Sequence, residues 1–163
     1  MFEIYLFNRL TKMLQPSIPS QSLVRVLAFC TMLLWLASSS PSSAKVFTRC
    51  QLSKELSRYS FARNLINTWV CILENESGRM TNKVTVHPNG TSYGLFQLNS
   101  NEWCKKGRRG GHCTMRCEDL MNEDLADDVR CAKRVYDKLG FLGWPSYKSR
   151  CKGKSMPEIS RCP

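Results

Sequence analysis

Eight cysteines constrain this chain more than any other feature. Cys50, Cys71, Cys104, Cys113, Cys117, Cys131, Cys151 and Cys162 all fall in the stretch from residue 45 to the C-terminus. That density in a small domain points to a disulfide framework formed in an oxidising compartment. Eight cysteines allow 105 pairings, and the sequence alone does not choose among them. Zinc is the competing reading. The closest pairs, Cys113/Cys117 and Cys104/Cys113, do not form the two clustered pairs of a structural zinc site.

The ninth cysteine, Cys30, lies in a segment of different character. Arg25 is followed by the apolar run VLAFCTMLLWLA and then by SSSPSSA, where Ser42 and Ala44 give a small-x-small cleavage pattern ahead of Lys45. Residues 1–44 therefore read as a secretory signal peptide and residues 45–163 as the exported domain, which places the product outside the cell. The front end is long, with Arg9 and Lys12 upstream and Met13 as a second candidate start. An uncleaved anchor is the alternative, but a spanning helix wants about 20 apolar residues. Without the leader's Arg9, Lys12, Arg25 and Glu3, the formal charge falls from +11 to +9. The densest basic patch is KKGRRGGH between Cys104 and Cys113. A field of that sign draws the protein to anionic surfaces, bacterial envelopes among them. Nucleic acid is not expected as a partner, because the basic residues are not interleaved with aromatics and an exported protein seldom meets it.

Along the domain, Thr48 with Gln51 three residues on signals a capping box, and Leu52, Leu56 and Tyr59 share one face of the helix that follows. After a polar link around Arg63-Asn64, the residues Leu65, Ile66, Trp69, Val70 and Leu73 repeat on a helical period dense enough to be buried. Val84, Thr85 and Val86, then His87-Pro88-Asn89-Gly90 as a turn, predict a small antiparallel sheet. Residues 100–124 read as loop held by cysteines, and a third helix is predicted over Leu125 to Asp137, with Val129, Ala132, Val135 and Tyr136 inward. The fold class is α+β: a helical lobe and a small sheet lobe with a cleft between. A single monomeric domain is expected.

The second helix ends near Glu76, five residues after Cys71. A carboxylate there faces the negative end of the helix dipole, a field that disfavours ionisation. A carboxyl that keeps its proton in a cleft is the general acid that glycoside hydrolysis needs. The plainer reading is a surface acid at a frayed helix end.

The stretch from Trp69 carries W-V-C followed by E-S, then N-G-T, Y-G-x-x-Q-x-N-S and W-C. It resembles the active-site half of a c-type lysozyme of invertebrate type. The resemblance runs from Lys45 (KVFTRC) to Cys162 and includes all eight cysteines. It implies the pairs Cys50–Cys162, Cys71–Cys151, Cys104–Cys117 and Cys113–Cys131. It implies that Glu76 is the general acid and that Trp144 is the indole beside it. Gln97 and Asn99 become polar cleft residues that bind substrate, and Trp103 becomes an aromatic sugar-stacking position. The implied substrates are peptidoglycan or chitin-type oligosaccharides, cleaved at β-1,4 linkages with no cofactor required. Read singly, these residues are strand-end amides and core aromatics.

One position departs from that family. An aspartate is expected just before Tyr93-Gly94, and Ser92 stands there instead. The span from Glu76 to Ser92 is also one residue short. No Asp or Glu lies between Ser77 and Asn101. Retaining glycosidases, of which lysozyme is the type case, hold a second carboxyl about 5 Å from the acid. Ser92 supplies no negative charge at neutral pH. Glu102 stands where the family places a second cleft-edge tryptophan, too far along to be the nucleophile. The resemblance therefore leaves two functions open. One is hydrolysis at reduced rate. The other is saccharide binding or signalling with lapsed chemistry, as in the related α-lactalbumins.

Two further motifs stand apart. In Cys117-EDLMNEDLADDVR-Cys131, the acid spacing resembles the calcium loop of α-lactalbumins and calcium-binding lysozymes, with Asn122, Asp127 and Asp128 at the side-chain positions and the carbonyls of Asp119 and Asp124 at the backbone ones. Calcium favours charged, hard oxygen ligands, so Asn122 in place of a carboxylate predicts weaker binding. The alternative is an acidic first turn that suits the helix dipole. Asn75-Glu76-Ser77 and Asn89-Gly90-Thr91 both read as N-glycosylation acceptors.

Overall fold

The structure, a computed structural model, describes residues 44–162. Among the described residues, three helices and one sheet make up the regular part: α1 (Arg49–Arg58), α2 (Ile66–Ser77), β1 (Val84–His87), β2 (Gly90–Tyr93), β3 (Leu98–Asn99) and α3 (Ala126–Leu139). Single 3-10 turns occur at Arg63–Leu65, Cys117–Met121 and Gly140–Gly143, and a π turn covers Tyr147–Cys151. The proposed leader lies outside the described residues, apart from Ala44. No helix among the described residues is long and apolar enough to cross a membrane.

Local chemistry sets the helix ends. The Thr48 hydroxyl accepts from the Gln51 N–H at 3.2 Å, and the Gln51 side chain accepts from the Thr48 N–H at 2.9 Å, the reciprocal cap anticipated for α1. Gly78 stops α2 with φ of 64°, its N–H returning to Glu74 O while Arg79 N–H returns to Leu73 O. These bonds satisfy carbonyls that the helix end would otherwise strand. The α3 start has no cap from its own N-cap residue Leu125, and Asp124 Oδ1 accepts from Ala126 N–H instead.

The second helix runs through the middle of the core. Val70, Ile72 and Leu73 are fully buried, in one hydrophobic cluster with Leu52 and Leu56 of α1 and Val129, Ala132 and Val135 of α3. Trp69 is the hub. Its ring lies 5.0 Å from Phe61, 5.1 Å from Phe141 and 4.8 Å from Trp144, all edge to face. Edge-to-face rings of this kind add about 0.5–1.5 kcal/mol each beyond area burial.

Four disulfides fix this arrangement: Cys50–Cys162, Cys71–Cys151, Cys104–Cys117 and Cys113–Cys131. The first two join points 112 and 80 residues apart, so they tie the C-terminal tail to α1 and the π turn to α2. The other two secure the long loop between the sheet and α3.

The sheet is antiparallel in the order β1-β2-β3, with His87 opposite Gly90 across a two-residue Pro88-Asn89 turn. That tight turn fixes the register. Thr85, Ser92 and Asn99 therefore form one row across the three strands. Tyr93 and Leu98 face inward from the other side, while Val86 on the outer strand is 79% exposed. The valines of β1 thus belong to an exposed strand rather than to the core. Ser92 and Asn99 of this row line the cleft.

Candidate functional site

A cleft of about 740 Å³ separates the helical lobe from the sheet. Glu76 lines it from the last turn of α2, and Ser92, Gln97 and Asn99 line it from the sheet. Trp103, Glu102, Trp144 and Arg150 complete its walls. Every residue that the sequence put forward for catalysis or sugar binding thus borders one cavity.

Glu76 is half-buried, and its Oε1 accepts a hydrogen bond from the backbone N–H of Ser146 at 3.0 Å. No partner for Oε2 is found among the described residues, so that oxygen is open to the cleft. The Cys71–Cys151 bond and the π turn hold the Ser146 segment against α2. Nothing in the sequence marks Ser146, because its backbone rather than its side chain makes the contact.

Ser92 is 6% exposed and sits in the middle of the polar row, with Thr85 and Asn99 as its cross-strand neighbours. Among the described residues, the only carboxylates bordering the cleft are Glu76 and Glu102. Glu102 follows β3 by three residues, where its N–H donates to Asn99 O at 3.3 Å, and its side chain is exposed. Ser92 thus has no acid standing in for it nearby along the sheet.

Several amides and aromatics of the cleft are already engaged within the protein. The Gln97 amide nitrogen donates to Lys83 O at 3.0 Å and Gly94 O at 2.8 Å, and its oxygen accepts from Thr85 Oγ1 at 2.6 Å. Gln97 is a brace that holds the β2–β3 turn against β1. Asn99 is only half committed: its oxygen accepts from Asn101 N–H at 2.8 Å, with no partner for its amide nitrogen among the described residues. Trp144 is 2% exposed and its indole N–H donates to Phe96 O at 2.8 Å, so it shapes the wall without offering that donor to a ligand. Trp103 is 4% exposed, with the His112 ring 5.4 Å away and the Lys138 ammonium 5.8 Å from its centroid. It is a buried wall residue, not an open stacking platform. Thr85 was not anticipated. It could have been found from the hairpin, since a two-residue turn at Pro88-Asn89 puts Thr85 opposite Ser92.

The loop before α3 carries the proposed calcium ligands. Asp128 is completely buried, and neither of its carboxylate oxygens has a hydrogen-bond partner. Burial, and then the negative charge of Asp127, push the Asp128 carboxyl well above the usual range. Asp127 is also raised, mainly by burial. This pair would suit a cation, but the rest of the loop does not. The Asn122 amide nitrogen donates to Asp119 O at 2.8 Å, and its oxygen accepts from Asp124 N–H at 2.7 Å. An N–H dipole is thereby aimed at one of the carbonyls expected to hold the ion. The Asp119 carboxylate is paired with Arg116 at 2.7 Å. As folded, the loop closes on itself and does not fit calcium. Among the described residues, no three His, Cys, Asp or Glu side chains are grouped to hold a metal.

Comparison with known proteins agrees with this architecture. The family model described as the C-type lysozyme/alpha-lactalbumin family matches residues 45–162. A lysozyme of Bombyx mori is 44% identical over 123 residues, covering 74% of this chain and 89% of that protein. The crystal structure of a lysozyme from Litopenaeus vannamei superposes with a TM-score of 0.63 at 33% identity, over 68% of this chain and 91% of that one. A calcium-binding lysozyme from equine milk superposes with a TM-score of 0.62 at 37% identity, over 68% and 92%. The chain belongs to the C-type lysozyme/alpha-lactalbumin family.

Proposed function

We propose that this protein is an exported lysozyme-type glycoside hydrolase that cleaves β-1,4 linkages of peptidoglycan, or of chitin-type oligosaccharides, at a rate limited by its missing second carboxylate. The observation that carries the reading is Glu76: a half-buried carboxyl with one oxygen fixed by Ser146 N–H and the other free in a cleft. The free oxygen delivers its proton to the glycosidic oxygen as the C–O bond breaks, and the sugar develops oxocarbenium character. No carboxylate faces that cation from the sheet. Ser92 and the Asn99 amide can instead hold a water on that face, and this water attacks the anomeric carbon without a covalent intermediate, losing its proton to solvent while Glu76 is left ionised. The net charge of +9 holds the enzyme on anionic bacterial walls, which suits an antibacterial or digestive role. Residues 1–44 act as a cleaved leader, and the mature chain starts at Lys45. There the backbone N–H donates to Thr81 Oγ1 at 3.1 Å, and the carbonyl accepts from Thr81 N–H.

The test is clearance of a suspension of bacterial cell walls. The natural protein should lyse slowly, and Glu76→Gln should abolish lysis, because an amide cannot deliver the proton. A second reading follows from the absence of an acid near Ser92: a saccharide-binding or signalling protein whose chemistry has lapsed. It predicts no lysis, no effect of Glu76→Gln, and retained binding of chitin fragments that alters tryptophan fluorescence.

A further inference from the structure

We propose that Asn89 is an N-glycosylation site, and that its glycan stands on the sheet-side rim of the cleft. The proposal rests on export of the chain through a secretory pathway. The domain holds two acceptor motifs, and the structure separates them. Asn75 is exposed, but it lies within α2, with its amide nitrogen donating to Cys71 O at 2.9 Å. The hydroxyl residue of its motif, Ser77, is buried, with Oγ donating to Leu73 O at 2.9 Å. Both side chains that transfer requires are therefore spent on the helix. That helix is in turn anchored by the Cys71–Cys151 bond.

Asn89 is placed in the opposite way. It is exposed at the tip of the β1–β2 hairpin, in the two-residue turn between His87 and Gly90. Its side chain makes no hydrogen bond among the described residues. Only its carbonyl is engaged, accepting from Asn101 Nδ2 at 2.6 Å. Gly90 follows with φ of 119°, which turns the chain sharply between the asparagine and Thr91. Thr91 is bonded through its backbone to Ser100, leaving its hydroxyl unengaged among the described residues. Asn89 also borders the same cleft as Glu76.

The step needs a lipid-pyrophosphate-linked oligosaccharide as donor. The Asn89 amide nitrogen bonds to the anomeric carbon of the first sugar and loses one proton. The bond from that carbon to the phosphate oxygen breaks, and the lipid pyrophosphate leaves with the electron pair. No oxidant or reductant is involved.

The experiment expresses the full chain in a eukaryotic secretory cell and follows the product before and after peptide N-glycosidase. The secreted protein should show one downward mobility step. Asn89→Gln and Thr91→Ala should each remove the step, Thr91→Ser should keep it, and Asn75→Gln should leave it intact. Two variants on different residues guard against one that fails to fold. A secreted protein with no step, or a step lost with Asn75→Gln and kept with Asn89→Gln, overturns the proposal. Retention in the cytosol, read by fractionation, overturns the export reading and this proposal with it. A secreted, unmodified product overturns this proposal alone.

Discussion

In the proposed mechanism, Ser92 is the position where a single side chain limits the rate. A carboxylate there would face the developing cation, whereas a hydroxyl offers only a dipole. Ser92→Asp should raise lysis roughly a hundredfold, by analogy with the 10²–10³ commonly carried by one preorganised electrostatic group. The stereochemistry gives an independent reading. If water attacks from the Ser92 face in one step, the natural protein inverts the anomeric configuration. The Ser92→Asp variant should retain it through a covalent intermediate. NMR of the first-formed sugar product distinguishes the two. Asp128 makes a second residue-scale prediction. Its folded-state pKa lies above its unfolded value near 3.8, so the folded state keeps the proton to higher pH than the unfolded state does. Its cost to stability is absent in acid, grows as pH rises above that unfolded value, and is complete above the raised folded pKa. Asp128→Asn should therefore stabilise the protein at pH 7, by about 1–3 kcal/mol for a desolvated unpaired group, and the two melting curves should converge toward pH 3. Asn122→Asp removes the N–H aimed at Asp119 O and adds charge. It should create a calcium-dependent rise in Tm larger than any in the natural protein.

Among the elements, the β2–β3 turn is the piece on which the sheet side of the cleft depends. Gly94 has φ of 74°, and a Cβ there would lie 2.1 Å from Leu120 O. No side chain fits such a gap against backbone. Gly94 O also receives the Gln97 amide, and that amide spans back to Lys83 and Thr85. Gly94→Ala should cost about 2–4 kcal/mol through backbone strain and overpacking, and should depress lysis further by displacing Ser92 and Asn99. Denaturant unfolding and wall clearance measure the two effects separately. Helix α2 makes the complementary case. Its termination at Gly78 sets where Glu76 emerges, one residue from the helix end and beside the cleft.

At the scale of the whole molecule, long-range covalent ties hold the acid in place. The Cys71–Cys151 bond closes a separation of 80 residues and keeps the segment bearing Ser146 against α2. Replacing both cysteines with alanine should cost about 2–5 kcal/mol of stability. Lysis should fall further than the folded fraction does, because the Ser146 N–H that fixes Glu76 Oε1 loosens. Thermal unfolding followed by circular dichroism, set beside activity at a temperature where the variant is still folded, checks this. The strongly positive charge acts on the same scale, and the natural protein's wall clearance should weaken as salt screens it.

Much of this molecule is written locally. The capping box at Thr48, the buried face of Leu52 and Leu56, the period of Trp69, Val70 and Leu73, and the hairpin at Pro88-Asn89 each follow from neighbours a few residues apart, where propensity and periodicity act. The missing charge at Ser92 is equally plain, since composition alone excludes an acid from Ser77 to Asn101. The sequence also offered the cysteines but not their partners; only the family likeness implied the pairing that the fold makes. What the tertiary structure decided lies in groups without a one-dimensional signature. A backbone N–H at Ser146 fixes an acid 70 residues away. The Gln97 amide is consumed as a brace, the Trp144 indole N–H is spent on Phe96 O, and Asn122 turns its N–H toward the carbonyl of a loop that would otherwise suit a cation. Each depends on which hydrogen-bonding groups three-dimensional packing leaves over, and residue type determines only what a side chain is able to bond, not what reaches it first.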